Sequence, residues 1–333
     1  MNKITISAAD NTLFNAWVLD HEAPAATIQI LHGMAEHCLR YESFAYALNR
    51  AGYRVVMHNH RGHGGRQPQG HYGDRQQSGM SGCGGGCMGG WALLLDDITR
   101  VQDAVKGDEP LIMFGHSMGS FIAQSYAMRN PQRLSALVLS GSNSQPGFLV
   151  RGGKLVASTL RLFQGERHQS GVMDFLSFGE FNRHFKPNRT DFDWLSRDKE
   201  QVDLYINDPH CGHPCSLQLW SDLMDGLTEI ARPENLRKIP ADMPIYIFGG
   251  SQDPVGMMGK GLPRLENQYI QTGHDKVTMR LYADGRHEML NEINRQQVIS
   301  DVIQWLKEVV WKQSPTAPSM KSSSVNVASE CSR

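Results

Sequence analysis

The stretch Leu111 to Gly119, Leu-Ile-Met-Phe-Gly-His-Ser-Met-Gly, constrains this chain more than any other. Its unbroken apolar start reads as a strand buried on both faces, and helical spacing follows from Ser120 to Arg129. Gly-x-Ser-x-Gly therefore falls at a strand-to-helix turn, the place where a serine hydroxyl can be presented as a nucleophile beside backbone N–H donors. A side chain at Gly115 or Gly119 would crowd such a turn.

The rest of the chain repeats the same rhythm. A hairpin is expected at the start, with Ile4, Ile6, Leu13, Phe14 and Trp17 alternating around Asp10 and Asn11. Strands are expected at 27–31, 53–57, 111–114, 134–139, 244–248 and 277–282, with helices at 41–50, 93–105, 120–129 and 295–312. Continuous apolar strands separated by helices predict an α/β fold with a mostly parallel central sheet flanked by helices. Between 142 and 239 the strand rhythm stops and helical spacing takes over, which predicts an inserted helical lid. The core would then comprise 1–141 and 240–313. The tail 314–333 is Ser-rich, carries Pro315 and Pro318, and reads as disordered.

A nucleophilic serine needs a base and an acid that orients it, in the chain order Ser, Asp, His for this topology. Asp253 follows the strand at 244–248, and His287 follows the strand at 277–282. Asp242 precedes its strand and Asp284 sits in an Asp-Gly turn, so neither suits the acid's place as well as Asp253. Two N–H groups should face the oxyanion that develops on the substrate: that of Met118, directly after Ser117, and that of Met34, in the loop after the strand at 27–31. Acyl transfer to water then requires no metal and no organic cofactor.

Composition narrows the partners. Lys and Arg number 33 against 34 Asp and Glu, so no net positive field would collect nucleic acid. The first residues lack the apolar run of a secretory signal, and no segment approaches the length of a membrane span; a cytoplasmic protein is the expectation. Gly84 to Gly89 formally spells Gly-x-Gly-x-x-Gly, but no strand precedes it, so dinucleotide binding is not expected. Cys83 and Cys87, and Cys211 and Cys215 with His210 and His213 nearby, are spaced unlike usual zinc ligands and read as free thiols.

Five segments in order, 32–37 with Arg40 and Tyr41, 61–64, 115–119, 253–255 and 286–292, resemble the monoacylglycerol lipase and bacterial lysophospholipase branch of the α/β-hydrolases over residues 3 to 311. Asn59 stands where that family usually has Asp, and the glycine-rich stretch 78–90 has no counterpart there. The resemblance implies a single-chain acyl ester as substrate. Phe148, Leu149, Leu155, Leu160, Leu162, Phe163, Met173, Phe175, Leu176, Phe178, Phe181 and Phe185 would divide between packing the lid and lining an acyl tunnel. A thioesterase, a peptidase or a lipid-binding protein without activity are the competing readings. Transient contact with a membrane surface and the oligomeric state stay open.

Overall fold

Each central strand divides its side chains between two cores, because successive residues of a strand point to opposite faces. On the strand Ala136–Ser140, Leu137 and Leu139 enter one apolar cluster while Ala136 and Val138 enter the other. On Ile245–Gly250, Ile245 and Ile247 part from Tyr246 and Phe248 in the same way. A strand apolar at every position is thus one with helices on both faces.

The computed structural model describes residues 1–73, 89–144 and 147–313. Eight strands, β1 (Asn2–Ser7), β2 (Leu13–Leu19), β3 (Thr27–Leu31), β4 (Arg54–His58), β5 (Leu111–His116), β6 (Ala136–Ser140), β7 (Ile245–Gly250) and β8 (Val277–Tyr282), form one sheet in the order β1-β2-β4-β3-β5-β6-β7-β8. The first hairpin pairs antiparallel, as does β2 with β4, and the remaining pairs are parallel. Helices α1 (Glu42–Arg50), α2 (Gly90–Ala104) and α3 (Met118–Arg129) and the helix Arg295–Gln313 cover the two faces. This is the expected α/β fold.

Differences from the sequence reading are local. Helix α2 begins at Gly90, three residues before the expected Leu93, and α3 begins at Met118, two before Ser120. No element was expected at Gly261–Gln271, which is helical with Leu262, Leu265 and Tyr269 buried; Gly261 and Pro263 at its start hid the period. Between β6 and β7 the chain is helical, with α4 (Gly147–Gln164), Lys199–Asn207 and Leu217–Ile230 as its longest pieces. The glycine-rich stretch with Cys83 and Cys87, and the tail 314–333, lie outside the described residues.

Candidate active site

The loops at the C-terminal ends of β3, β5, β7 and β8 converge on one cavity of about 150 Å³, lined among others by Met34, Ser117, Met118 and His287. In an open parallel sheet this edge gathers side chains from strands distant in sequence.

Ser117 lies between β5 and α3 with φ 52° and ψ −121°, a conformation that a side chain rarely adopts. Its N–H donates to the carbonyl of Ser140 on the neighbouring strand, which holds the turn in place. It occupies the N-cap of α3 without a side-chain capping bond, so the hydroxyl is not consumed there. The flanking glycines answer to close approach. A Cβ on Gly115 would stand 2.3 Å from the carbonyl oxygen of Gly119, and one on Gly119 would stand 2.2 Å from that of Leu31. Met118 opens α3, so its N–H belongs to the helical donors that have no intrahelical acceptor and sit at the positive end of the dipole.

His287 and Asp253 form one hydrogen-bonded pair, Nδ1 to Oδ1 at 3.0 Å, and both are buried. The amide of Val255 donates to the same Asp253 oxygen at 2.9 Å, which orients the carboxylate. Burial alone would lower the His287 pKa; the Asp253 charge and hydrogen bond, with Glu288 and Glu36 nearby, outweigh it and raise the imidazole above its ordinary value. The structure thus brings Ser117, His287, Met34 and Met118 to one cavity wall, with Asp253 behind the histidine.

Residues of the segments that carry the resemblance form an ion network whose pairing was not read from the sequence. Arg40 donates to Glu36 at 2.6 Å and, through two nitrogens, to both oxygens of Glu288 at 2.6 and 2.7 Å. Glu36 also accepts from Tyr41 Oη and from the amide of Gly33, so the triad of charges fixes the loop that carries Met34 relative to the residue after His287. Burial would raise the Glu288 carboxyl, but Arg40 overrides it and holds it down at about 2; burial raises Glu36, with Glu288 adding repulsion that Arg40 opposes. Arg40 and Glu288 are 248 positions apart, so their pairing gives no local signal.

The helical insertion roofs the cavity with two of the side chains expected and several that were not named. Of the named apolar residues whose side chains are described, Phe178 and Phe181 line it, while Leu155, Leu162, Phe163, Phe175 and Leu176 are exposed. Trp194, Trp220, Leu223 and Leu227 supply the walls instead. Trp194 packs against the His287 ring at 5.1 Å and stacks on Phe178 at 5.8 Å. Helical period tells which residues share a face and leaves open which face meets the cavity. Cys38, Cys211 and Cys215 are free thiols.

Residues 22–294 match the family described as Hydrolase_4, Serine aminopeptidase, S33. The monoacylglycerol lipase of Mycolicibacterium smegmatis is 26% identical over 88% of this chain and 92% of its own, and the monoglyceride lipase of Mus musculus is 26% identical over 90% and 88%. Among solved structures, a highly thermostable carboxyl esterase from Bacillus coagulans superposes with a TM-score of 0.80 at 27% identity, covering 93% of this chain and 98% of that one. The monoacylglycerol lipase of Paleococcus ferrophilus shares the fold, with a TM-score of 0.64 at 19% identity over 88% of this chain and 99% of that one. The chain belongs to the Hydrolase_4 (serine aminopeptidase, S33) family of the α/β-hydrolase superfamily, and its likeness within it is to monoglyceride lipases and carboxyl esterases.

Proposed function

We propose that the chain is a carboxylic ester hydrolase that cleaves single-chain acyl lipids, monoacylglycerols or lysophospholipids, through an acyl-enzyme on Ser117. The observation that carries this is the pair His287–Asp253 opening onto the same apolar cavity as a serine held at positive φ. In the first step Ser117 Oγ attacks the ester carbonyl, His287 Nε2 takes its proton, and the N–H groups of Met34 and Met118 receive the oxyanion. The proton then passes to the leaving glyceryl oxygen. Water, deprotonated by the same histidine, releases the fatty acid.

Walls of Trp194, Trp220, Leu223 and Leu227 suit an acyl chain, which offers no hydrogen bond in return. Glu36 and Glu288 also face this cavity, yet both are paired with Arg40, so neither is free to hold the amino terminus that an aminopeptidase must bind. That weighs against the peptidase reading. Residues 142–239 act as the lid over the chain, and the exposed Leu155 and Leu162, seven apart on one face of α4, give it an outer surface for transient contact with lipid. Among the described residues no helix is long and apolar enough to cross a membrane.

The test is labelling with a fluorophosphonate, compared with Ser117→Ala, followed by p-nitrophenyl esters of increasing chain length and by monoacylglycerol and lysophosphatidylcholine. Labelling confined to the wild type, with turnover rising towards medium and long chains, supports the proposal. A folded protein that takes no label, or one that prefers acetate, refutes it.

A further inference from the structure

Away from Ser117, three buried donors from two parts of the chain meet. His63 lies in the loop after β4, and His213 and Cys215 lie in the helical insertion just before the helix Leu217–Ile230. One ligand atom from each stands within 4.8 Å of the others, and the two rings meet edge to face with centroids 5.1 Å apart. Each residue is buried, His63 and Cys215 completely.

The state of His63 is informative. Its Nδ1 is 2.8 Å from the carbonyl oxygen of Arg61, which can only accept, so the proton resides on Nδ1 and the lone pair on Nε2. That Nε2 is buried without a hydrogen-bond partner. A ring anchored to a carbonyl at one nitrogen and bare at the other is the arrangement of a metal-binding histidine. His213 lies against the carbonyls of Gly62 and His210, without a hydrogen bond of ordinary geometry to either.

We propose that His63, His213 and Cys215 bind a divalent transition ion of the zinc class, which ties the helical insertion to the core sheet. Nitrogen and thiolate donors select such an ion over magnesium or calcium. Around tetrahedral zinc the donor atoms stand roughly 3.4 to 3.6 Å apart, so each side chain closes by less than about 1 Å. Binding displaces the Cys215 thiol proton to solvent.

The placement gives the ion a structural consequence. Cys215 directly precedes Ser216, the N-cap of the helix that supplies Trp220, Leu223 and Leu227 to the cavity. On the core side, the Tyr72 ring lies 6.2 Å from that of His63, and its hydroxyl donates to Met118 Sδ at 2.7 Å. Spacing in the sequence argued against zinc because the cysteine pairs are not set as usual zinc ligands are; His63, 152 residues before Cys215, was not among the candidates.

Full-length protein, stripped with a chelator and titrated with cobalt(II), should bind one ion per chain with a thiolate-to-cobalt charge-transfer band and tetrahedral visible absorption, displaced by zinc. Free zinc at roughly a hundredfold above its Kd should raise Tm by about 5 °C. Cys215→Ser and His213→Gln, each verified as folded by circular dichroism, should lose band and Tm rise; Cys211→Ser should keep both. A folded wild type with no band and no Tm rise overturns the site. So does a band that survives both substitutions, or one lost in Cys211→Ser alone, which would place the ion at His37, Asp208 and Cys211.

Discussion

His58 is the last residue of β4, fully buried, with neither ring nitrogen hydrogen-bonded. It packs against Phe14 at 5.9 Å and His60 at 5.3 Å. Burial, with the Arg66 charge adding to it, depresses its pKa from 6.5 to about 3. The unfolded chain therefore binds a proton that the folded chain refuses throughout the window between those values, so stability present above pH 6.5 is lost as pH falls through it. At pH 5 the unfolded imidazole lies about 1.5 units below its pKa, which at 1.36 kcal/mol per unit costs the native state about 2 kcal/mol. At pH 7.5 the same contribution is close to zero. His58→Leu, of similar volume, removes the titrating group and two unsatisfied nitrogens together, so it should be as stable as the wild type or more so at pH 7.5. The decisive quantity is the difference between the wild-type and variant gap at the two pH values, in which packing changes cancel. Urea unfolding followed by tryptophan fluorescence at pH 7.5 and 5.0 should show the gap widening by about 2 kcal/mol in favour of the leucine. A gap that stays constant would mean that His58 is solvated or protonated in the native state, and the argument from burial would fail.

Other expectations concern the proposed chemistry. Because His287 is raised above its ordinary pKa and must be neutral to act as a base, kcat/KM should fall with acidification through a midpoint above 6.5; Asp253→Asn should shift that limb down and reduce kcat by about 10⁴, and an unshifted limb would detach the two residues. Gly141→Ala should abolish most turnover and cost about 1–2 kcal/mol of stability, since Gly141 has φ 55° and a Cβ there would stand 2.9 Å from the His116 ring and 3.0 Å from that of His287; unchanged kinetics would show that both rings move aside freely. Arg40→Met leaves Glu288 buried without its cation and should cost about 3–5 kcal/mol by urea unfolding, and a loss under 1 kcal/mol would show that water reaches the pair. Leu162→Asp with Phe163→Asp, both exposed on the insertion, should leave hydrolysis of a soluble ester unaltered and lower turnover on lipid vesicles several-fold; equal losses on both would argue against surface contact.

The division between what could be read in advance and what could not follows the range of the forces involved. A strand buried on both faces is apolar along its own length, and a tight turn into a helix needs glycines at fixed offsets from Ser117, so both are written in contiguous residues. Asp253 and His287 were legible because each follows a strand end, and strand ends on one edge of a parallel sheet converge whatever lies between them. The Arg40 network, the turn of Trp194 and Trp220 towards the cavity in place of Leu162 and Phe163, and the meeting of His63 with Cys215 were decided only in three dimensions. In each, the partner is supplied by a chain segment far away in sequence, and periodicity gives a helix a face without saying what that face will meet.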